Sequence, residues 1–343
     1  MYCKRLNNKK GMILILALWA MSLLGVFSIY LGVHARQKII LLSRLETRDN
    51  LYFSAKSAVG KAICFIQKER KDGKIWNSVD SKINLMNNSD IFSNMDFKSF
   101  QAEVSYGFFD KTLNKIENRY GMIDEESKLN INTSNKNEIE RLIKLLAVLD
   151  VEDSENLALA IVDWREEGQS TLEGFFSDSY YNNLKNPYSP KNGDFEIIDE
   201  LLFVEGINQN LLFKLRQAFT IYGDGRVNVN TASGDVLCAI GFDVDVVRKI
   251  VSFRDGPDEK SATADDYFFN DISDFAIQVK SFESLSVNEI DRAVHIIEKG
   301  GVKTSSSFYE ICAISKKKNS SYKKNVICIY DSQEKEIRYW NEI

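Results

Sequence analysis

Residues 9–33 read KKGMILILALWAMSLLGVFSIYLGV, with no charged side chain between Met12 and Val33. Those 22 residues, at about 1.5 Å of rise each, make about 33 Å of helix, enough to cross a hydrocarbon core. The run is too long for the apolar part of an ordinary secretory signal and no A-x-A site follows it, so it is expected to act as an anchor. Basic residues do not orient it, because Lys4, Arg5, Lys9 and Lys10 on one flank are matched by Arg36, Lys38, Arg44 and Arg48 on the other. Beyond it, in SRLETRDNLYFSAKSAVGKAICFIQ (43–67), Leu45, Tyr52, Ala55, Val59, Ala62, Ile63 and Ile66 recur three or four apart. The helix is therefore predicted to run on into water with one face to bury.

The whole chain has 343 residues, which points to more than one folding unit behind the anchor. With 44% hydrophobic and 27% charged residues it has enough apolar surface to fold. The net charge of −5 gives no reason to expect nucleic acid as a partner. Only Pro187, Pro190 and Pro257 occur, so no Pro-rich linker marks a boundary. Five cysteines without a CxxC spacing, and only His34 and His295, leave zinc almost no ligands. Cys3 precedes the anchor; Cys64 and Cys238 are expected in the core. Cys312 and Cys328 lie in two strand-like runs and could pair across a hairpin in an oxidising compartment, or stay as buried thiols.

Residues 97–109 (FKSFQAEVSYGFF) alternate and are predicted to be strand. The stretch 123–149 then gives a polar turn and a helix, with Asn132 or Thr133 as N-cap. The pattern returns at RVNVNTASGDVLCAI (226–240), where Asn228-Val229-Asn230-Thr231 matches Asn130-Ile131-Asn132-Thr133 at an offset of 98. Two copies suggest paired helical modules rather than a solenoid. Helical segments are expected near 153–165, 176–185 and 196–219, the last resembling a helix-hairpin-helix or sterile-alpha-motif-like unit. Strand signals resume in SFYEICAI, NVICIYD and EIRYW, around a lysine-rich loop at 316–324. The helical region thus reads as an insertion between early and late strands of one sheet.

The flank Lys9-Lys10-Gly11 directly before Met12 resembles the leader of type IV prepilins and pseudopilins. That resemblance implies cleavage by a prepilin peptidase between Gly11 and Met12, methylation of the new amine, and a charge change from −5 to −9 as the four basic residues leave. An uncleaved anchor is the alternative. The fifth residue after the cut, glutamate in most of that superfamily, is Leu16 here. A membrane carboxylate needs a cation, supplied in the superfamily by the subunit already in place, so an apolar residue suits a subunit with no predecessor.

Taken with both Asn-x-Asn-Thr modules, Asp163-Trp164 before an acidic loop, Tyr180-Tyr181, the segment from Pro187-Tyr188 to Leu201 and the closing Arg338-Tyr339-Trp340, the order of motifs resembles the K-type minor pseudopilins of type II secretion systems. The fold implied is α+β: a long pilin-like N-terminal helix on a small antiparallel sheet, with a large inserted all-α domain. The expected divisions are a leader (1–11), a membrane half-helix (12–33), a pilin-like helix with first strands (34–122), an inserted helical domain (123–221), a second module (222–299) and C-terminal strands (300–343). The function implied is non-enzymatic. The subunit would start and cap a periplasmic pseudopilus with I- and J-type minor pseudopilins, anchored once in the bacterial inner membrane with its C-terminal part in the periplasm. The prepilin peptidase, the major pseudopilin and the inner-membrane assembly platform are further implied partners.

The same resemblance implies calcium in the acidic loop DWREEGQSTLEGFFSD (163–178), with Asp163, Glu166, Glu167 and Asp178 as candidate ligands. Arg165 lies among the acids and Phe175-Phe176 take a place where an acid is expected, so a solvated acidic loop stays open beside calcium. Asn-x-Asn-Thr modules also occur in competence-type DNA receptors. Here, however, Gly241 is followed by Phe242, Asp243 and Asp245, and Gly206 by Ile207 and Asn208, where phosphate would call for amides and basic residues. The lysine loop reads as a solvated hairpin tip. No nucleophile motif accompanies either histidine, and no glycine-rich nucleotide loop occurs.

Overall fold

In the computed structural model, which describes residues 9–71, 79–110, 115–147, 151–166 and 178–343, helix α1 runs unbroken from Lys9 to Lys71. Its 63 residues extend about 95 Å. Every large apolar side chain from Met12 to Val33 is exposed, and this is the one helix among the described residues long and apolar enough to cross a membrane. From Leu51 onward a stripe is buried: Leu51, Ala55, Ala58, Val59, Ala62 and Ile66. Three of these are alanines, which let the helix backbone come close to the sheet. Ser54 and Ser315 accordingly share a hydroxyl hydrogen bond at 2.6 Å.

Helices α2 (Val79–Met86) and α3 (Ser89–Phe92) lead to strands β1 (Met95–Phe97) and β2 (Phe100–Val104), then to a hairpin of β3 (Tyr106–Asp110) and β4 (Lys115–Arg119), and to β5 (Ile123–Asp124). The helical part follows. It comprises β6 (Leu129–Asn130), α4 (Lys136–Ala147), α5 (Val151–Arg165), α6 (Asp178–Asn182), α7 (Gln209–Leu215), β7 (Phe219–Thr220), β8 (Val227–Asn228), α8 (Gly234–Ala239), α9 (Val244–Asp255), α10 (Ile272–Ser281), α11 (Val287–Glu298) and β9 (Val302–Lys303). The chain then returns to β10 (Phe308–Lys317), β11 (Lys323–Asp331) and β12 (Glu336–Glu342).

The main sheet has the order β1-β2-β10-β11-β12, all antiparallel, with β5 also paired to β10. Early and late strands meet in register, Val104 opposite Ala313 and Ala102 opposite Ser315, so the sheet closes only after the whole helical part has been made. Val104, Ile311, Ala313, Val326 and Cys328 join the α1 stripe in one apolar cluster. The lysines at the β10–β11 turn are tied down: Lys316 pairs with Glu103, Lys318 with Asp96 and Lys324 with Glu342.

Several expectations are corrected. The run 97–109 is not one strand: β2 ends at Val104, where Ser105 donates its N–H to the Cys312 carbonyl, and β3 turns off into its own hairpin. The cap of α4 is Asn135, not Asn132 or Thr133; its Oδ1 accepts from the Glu138 amide at 3.1 Å while Glu138 returns a bond to its N–H at 3.0 Å. The segment 196–219 is a 3-10 turn at Ile198–Phe203 and the short α7, broken at Gly206 (φ +85°), where a side chain would strike Leu157. Cys64 is exposed and so lies outside the core, whereas Cys238 is half-buried and packs against it. One apolar cluster spans the divisions 123–221 and 222–299, from Leu129 through Phe219 and Val227 to Val302.

Cys312 and Cys328 are not bridged. Strand register places Cys312 opposite Ile327 and Cys328 opposite Ile311, so the two thiols project from opposite faces of the sheet.

Candidate functional site

The two Asn-x-Asn-Thr turns share one plan. Each follows a short parallel strand pair, β6 with β7 and β8 with β9. In the first, Asn130 Oδ1 accepts the Asn132 amide at 2.9 Å; in the second, Asn228 Oδ1 accepts the Asn230 amide at 3.0 Å. These are Asx turns, which the short carboxamide of asparagine closes without distorting the backbone. The second asparagine of each turn then clamps a phenylalanine backbone from both sides: Asn132 to Phe195 and Asn230 to Phe269. An arginine completes each unit. Arg165 Nη1 donates to the carbonyls of Ile131 and Ser134, and Arg254 Nη1 to those of Val229 and Ala232.

Sequence reasoning found the turns and missed the arginines, which stand 89 residues apart (165 to 254) rather than 98. A signal was present in the aromatic–arginine pairs Trp164-Arg165 and Phe253-Arg254, each in the last turn of the second helix of its module.

Between the modules and the sheet lies a buried polar junction. Asp124 Oδ2 accepts from Asn228 at 2.9 Å, Thr231 at 2.5 Å and Ser306 at 2.7 Å. Burial, and then the neighbouring Glu126, push its carboxyl up to about 6. Glu125 and Glu310 both face Lys128. Burial shifts Glu125 upward; burial acts on Glu310 too, but the Lys128 charge together with hydrogen bonds from Cys312, Glu125 and Lys128 holds that carboxyl down. Lys303 bridges Glu126 and Asp224. Every one of these groups is paired, so the cluster specifies how the helical part sits on the sheet.

Of the four calcium candidates, Asp163 and Glu166 are described, while Glu167 and the side chain of Asp178 lie outside the described residues. Asp163 is part-buried, and burial followed by the nearby Glu166 raises its carboxyl pKa. Glu166 already pairs with Arg165 at 2.9 Å. Among the described residues no three His, Cys, Asp or Glu side chains converge as a metal requires, so Asp163 and Glu166 alone do not make a site.

At the hairpin glycines, Asp243 after Gly241 pairs with Arg292, and Gly206 is preceded by Glu205. Gly11, Met12 and Leu16 lie within α1, Met12 and Leu16 with exposed side chains.

Comparison with known proteins now adds to this geometry. Residues 113–224 match the family of the type II secretion system (T2SS), protein K. No curated protein matches the sequence. Among solved structures, a chain of the GspK-GspI-GspJ complex from the enterotoxigenic Escherichia coli type 2 secretion system shares the fold. The TM-score is 0.60 at 16% identity, covering 88% of this chain and 98% of that one. Residues 113–224 thus resemble the type II secretion system protein K family, and the chain as a whole shares its fold with a solved chain of the GspK-GspI-GspJ complex.

Proposed function

We propose that this subunit sits at the tip of a periplasmic pseudopilus, where with I- and J-type minor pseudopilins it starts the fibre and caps it. The observation that carries this reading is the contrast along α1: its first part is apolar on every side with no partner in the chain, and its last part, from Leu51, buries one stripe against the sheet. A helix apolar all round must lie in a membrane or among other helices. Cleavage after Gly11 leaves Met12 as the first residue and Leu16 as the fifth, so the subunit brings no carboxylate that would need a predecessor's amine. The helical part, as large as the pilin-like part and set between β5 and β10, would block a further subunit above it. Growth then proceeds only from below, on the major pseudopilin and the inner-membrane platform. The solved relative was found in a GspK-GspI-GspJ complex, which supports the choice of partners.

The test is isolation of the full chain in detergent with co-expressed I- and J-type partners. A stable three-component complex is expected; elution of the chain alone in the presence of both partners would sink the reading. Calcium on the acidic stretch 163–178 is a separate reading, supported by the carboxylates that the sequence gathers there, Asp163, Glu166, Glu167 and Asp178. Terbium luminescence with no signal competed by calcium would rule it out.

A further inference from the structure

In the second module, cations from outside the helical part grip the segment between Arg254 and the clamped Phe269. That segment is an acidic loop carrying Asp255, Asp258, Asp265 and Asp266. Asp266 is its organiser: buried, it accepts the amides of Ala262 at 2.8 Å and Thr263 at 3.2 Å and the Thr263 hydroxyl at 3.0 Å. Its carboxylate also meets Lys82 Nζ at 2.6 Å, the two side chains only 4% and 0% exposed. Lys82 does not belong to the helical part; it comes from α2, next to the sheet. The same lysine reaches the Arg254 carbonyl at 3.5 Å, the residue that holds the second turn.

A second cation grips the loop from the same side. Arg119, at the end of β4, donates Nη2 to the Ser261 carbonyl at 3.2 Å and hydroxyl at 2.8 Å, and its guanidinium lies 3.3 Å from the centre of the Phe108 ring. The loop can fold this tightly because Gly256 (φ +68°) lets the Asp265 carbonyl pass where a side chain would stand. Burying a lysine is costly: desolvation and Arg254 both work against its charge, and Asp266 and Asp255 oppose them. Its presence there calls for a role.

We propose that Lys82 is the built-in counter-cation of the loop 255–266, neutralising Asp266 so that the loop folds without a metal ion and fastening the second module to the pilin-like part. A carboxylate that organises a loop by accepting backbone amides needs a positive charge once it is buried, and a tethered ammonium supplies it at fixed position. The consequence is mechanical: force along α1 reaches the helical part through this clasp as well as through the junction at Asp124. The inference holds whether or not the chain occupies a fibre tip.

Hydrogen exchange read by mass spectrometry on the full chain in detergent tests it, in excess calcium and after EDTA. For the natural sequence, protection over 256–266 should be the same in both. Lys82→Met should speed exchange at the Ala262 and Thr263 amides at least tenfold while α4 is unchanged. If that variant does not fold, Lys82→Met with Asp266→Asn leaves no lone buried charge, and should fold yet still lose protection over the loop. EDTA loosening the loop in the natural chain, or the double variant keeping full protection, would overturn the proposal.

Discussion

Asn130 and Asn228 each hold the segment that leads into the other's module. Asn130 Nδ2 donates to the carbonyls of Tyr222 at 3.1 Å and Gly223 at 3.3 Å; Asn228 Nδ2 donates to Asp124 Oδ2 at 2.9 Å. Tyr222 stands six places before Asn228 and Asp124 six places before Asn130. Each module is therefore tied to the segment that leads into the other. This explains why a single apolar cluster spans both.

Removing one such amide should be felt across both modules. Asn130→Ala or Asn228→Ala leaves buried acceptors unpaired and should cost about 2–4 kcal/mol each. Urea unfolding should stay a single transition for the helical part in both variants. Two separate transitions, or a loss below about 0.5 kcal/mol, would contradict the tie.

The junction makes stability depend on pH with a defined sign. Asp124 has a folded pKa of about 6 against an ordinary 3.8, so the folded chain binds its proton more tightly than the unfolded one. Its contribution is complete below the unfolded value and is lost as pH rises through the folded value. Glu125 is shifted in the same direction. Carboxylates held low, Asp224 and Glu310, act only in stronger acid. The melting temperature of the folded region should therefore fall between about pH 5 and about pH 7.5. Asp124→Asn should flatten the slope; a curve that rises over that window would refute the assignment.

The cysteines give a chemical check on strand register. Burial pushes the Cys328 thiol up to about 12 and raises that of Cys312 as well, so both should react slowly in the folded chain while exposed Cys64 is alkylated first. Peptide mapping after oxidative folding should find no bridge between Cys312 and Cys328. Finding one would mean a one-residue slip between β10 and β11.

How legible this was in the sequence varied with range. The long apolar helix, the α1 stripe, the return of strands after residue 300 and the matched turns follow from periodicity and repetition, which are local. The role of Asn132 was hidden because its partner is the backbone of Phe195, and an asparagine beside a helix reads equally as a cap. Lys82 and Asp266 lie 184 positions apart (82 to 266), and nothing in either neighbourhood announces the other. The cysteine pairing failed on a parity that only the register of β10 and β11 decides.

Leu16 offers a functional test. Leu16→Glu places a carboxylate in the apolar helix at a cost of about 2.5–3.5 kcal/mol near the bilayer centre. If the subunit is the first of the fibre, no predecessor's amine relieves that charge, and pseudopilus assembly should drop about tenfold or more. Unchanged assembly would show that a cation meets position 16, and so that another subunit precedes this one.

The central claim is position, and position can be seen. Assembled pseudopili carrying a gold label on an exposed residue of the helical part, viewed by electron microscopy, should show one label per fibre, always at the end farthest from the membrane. Labels spaced along the shaft, or at the membrane end, would contradict the tip role.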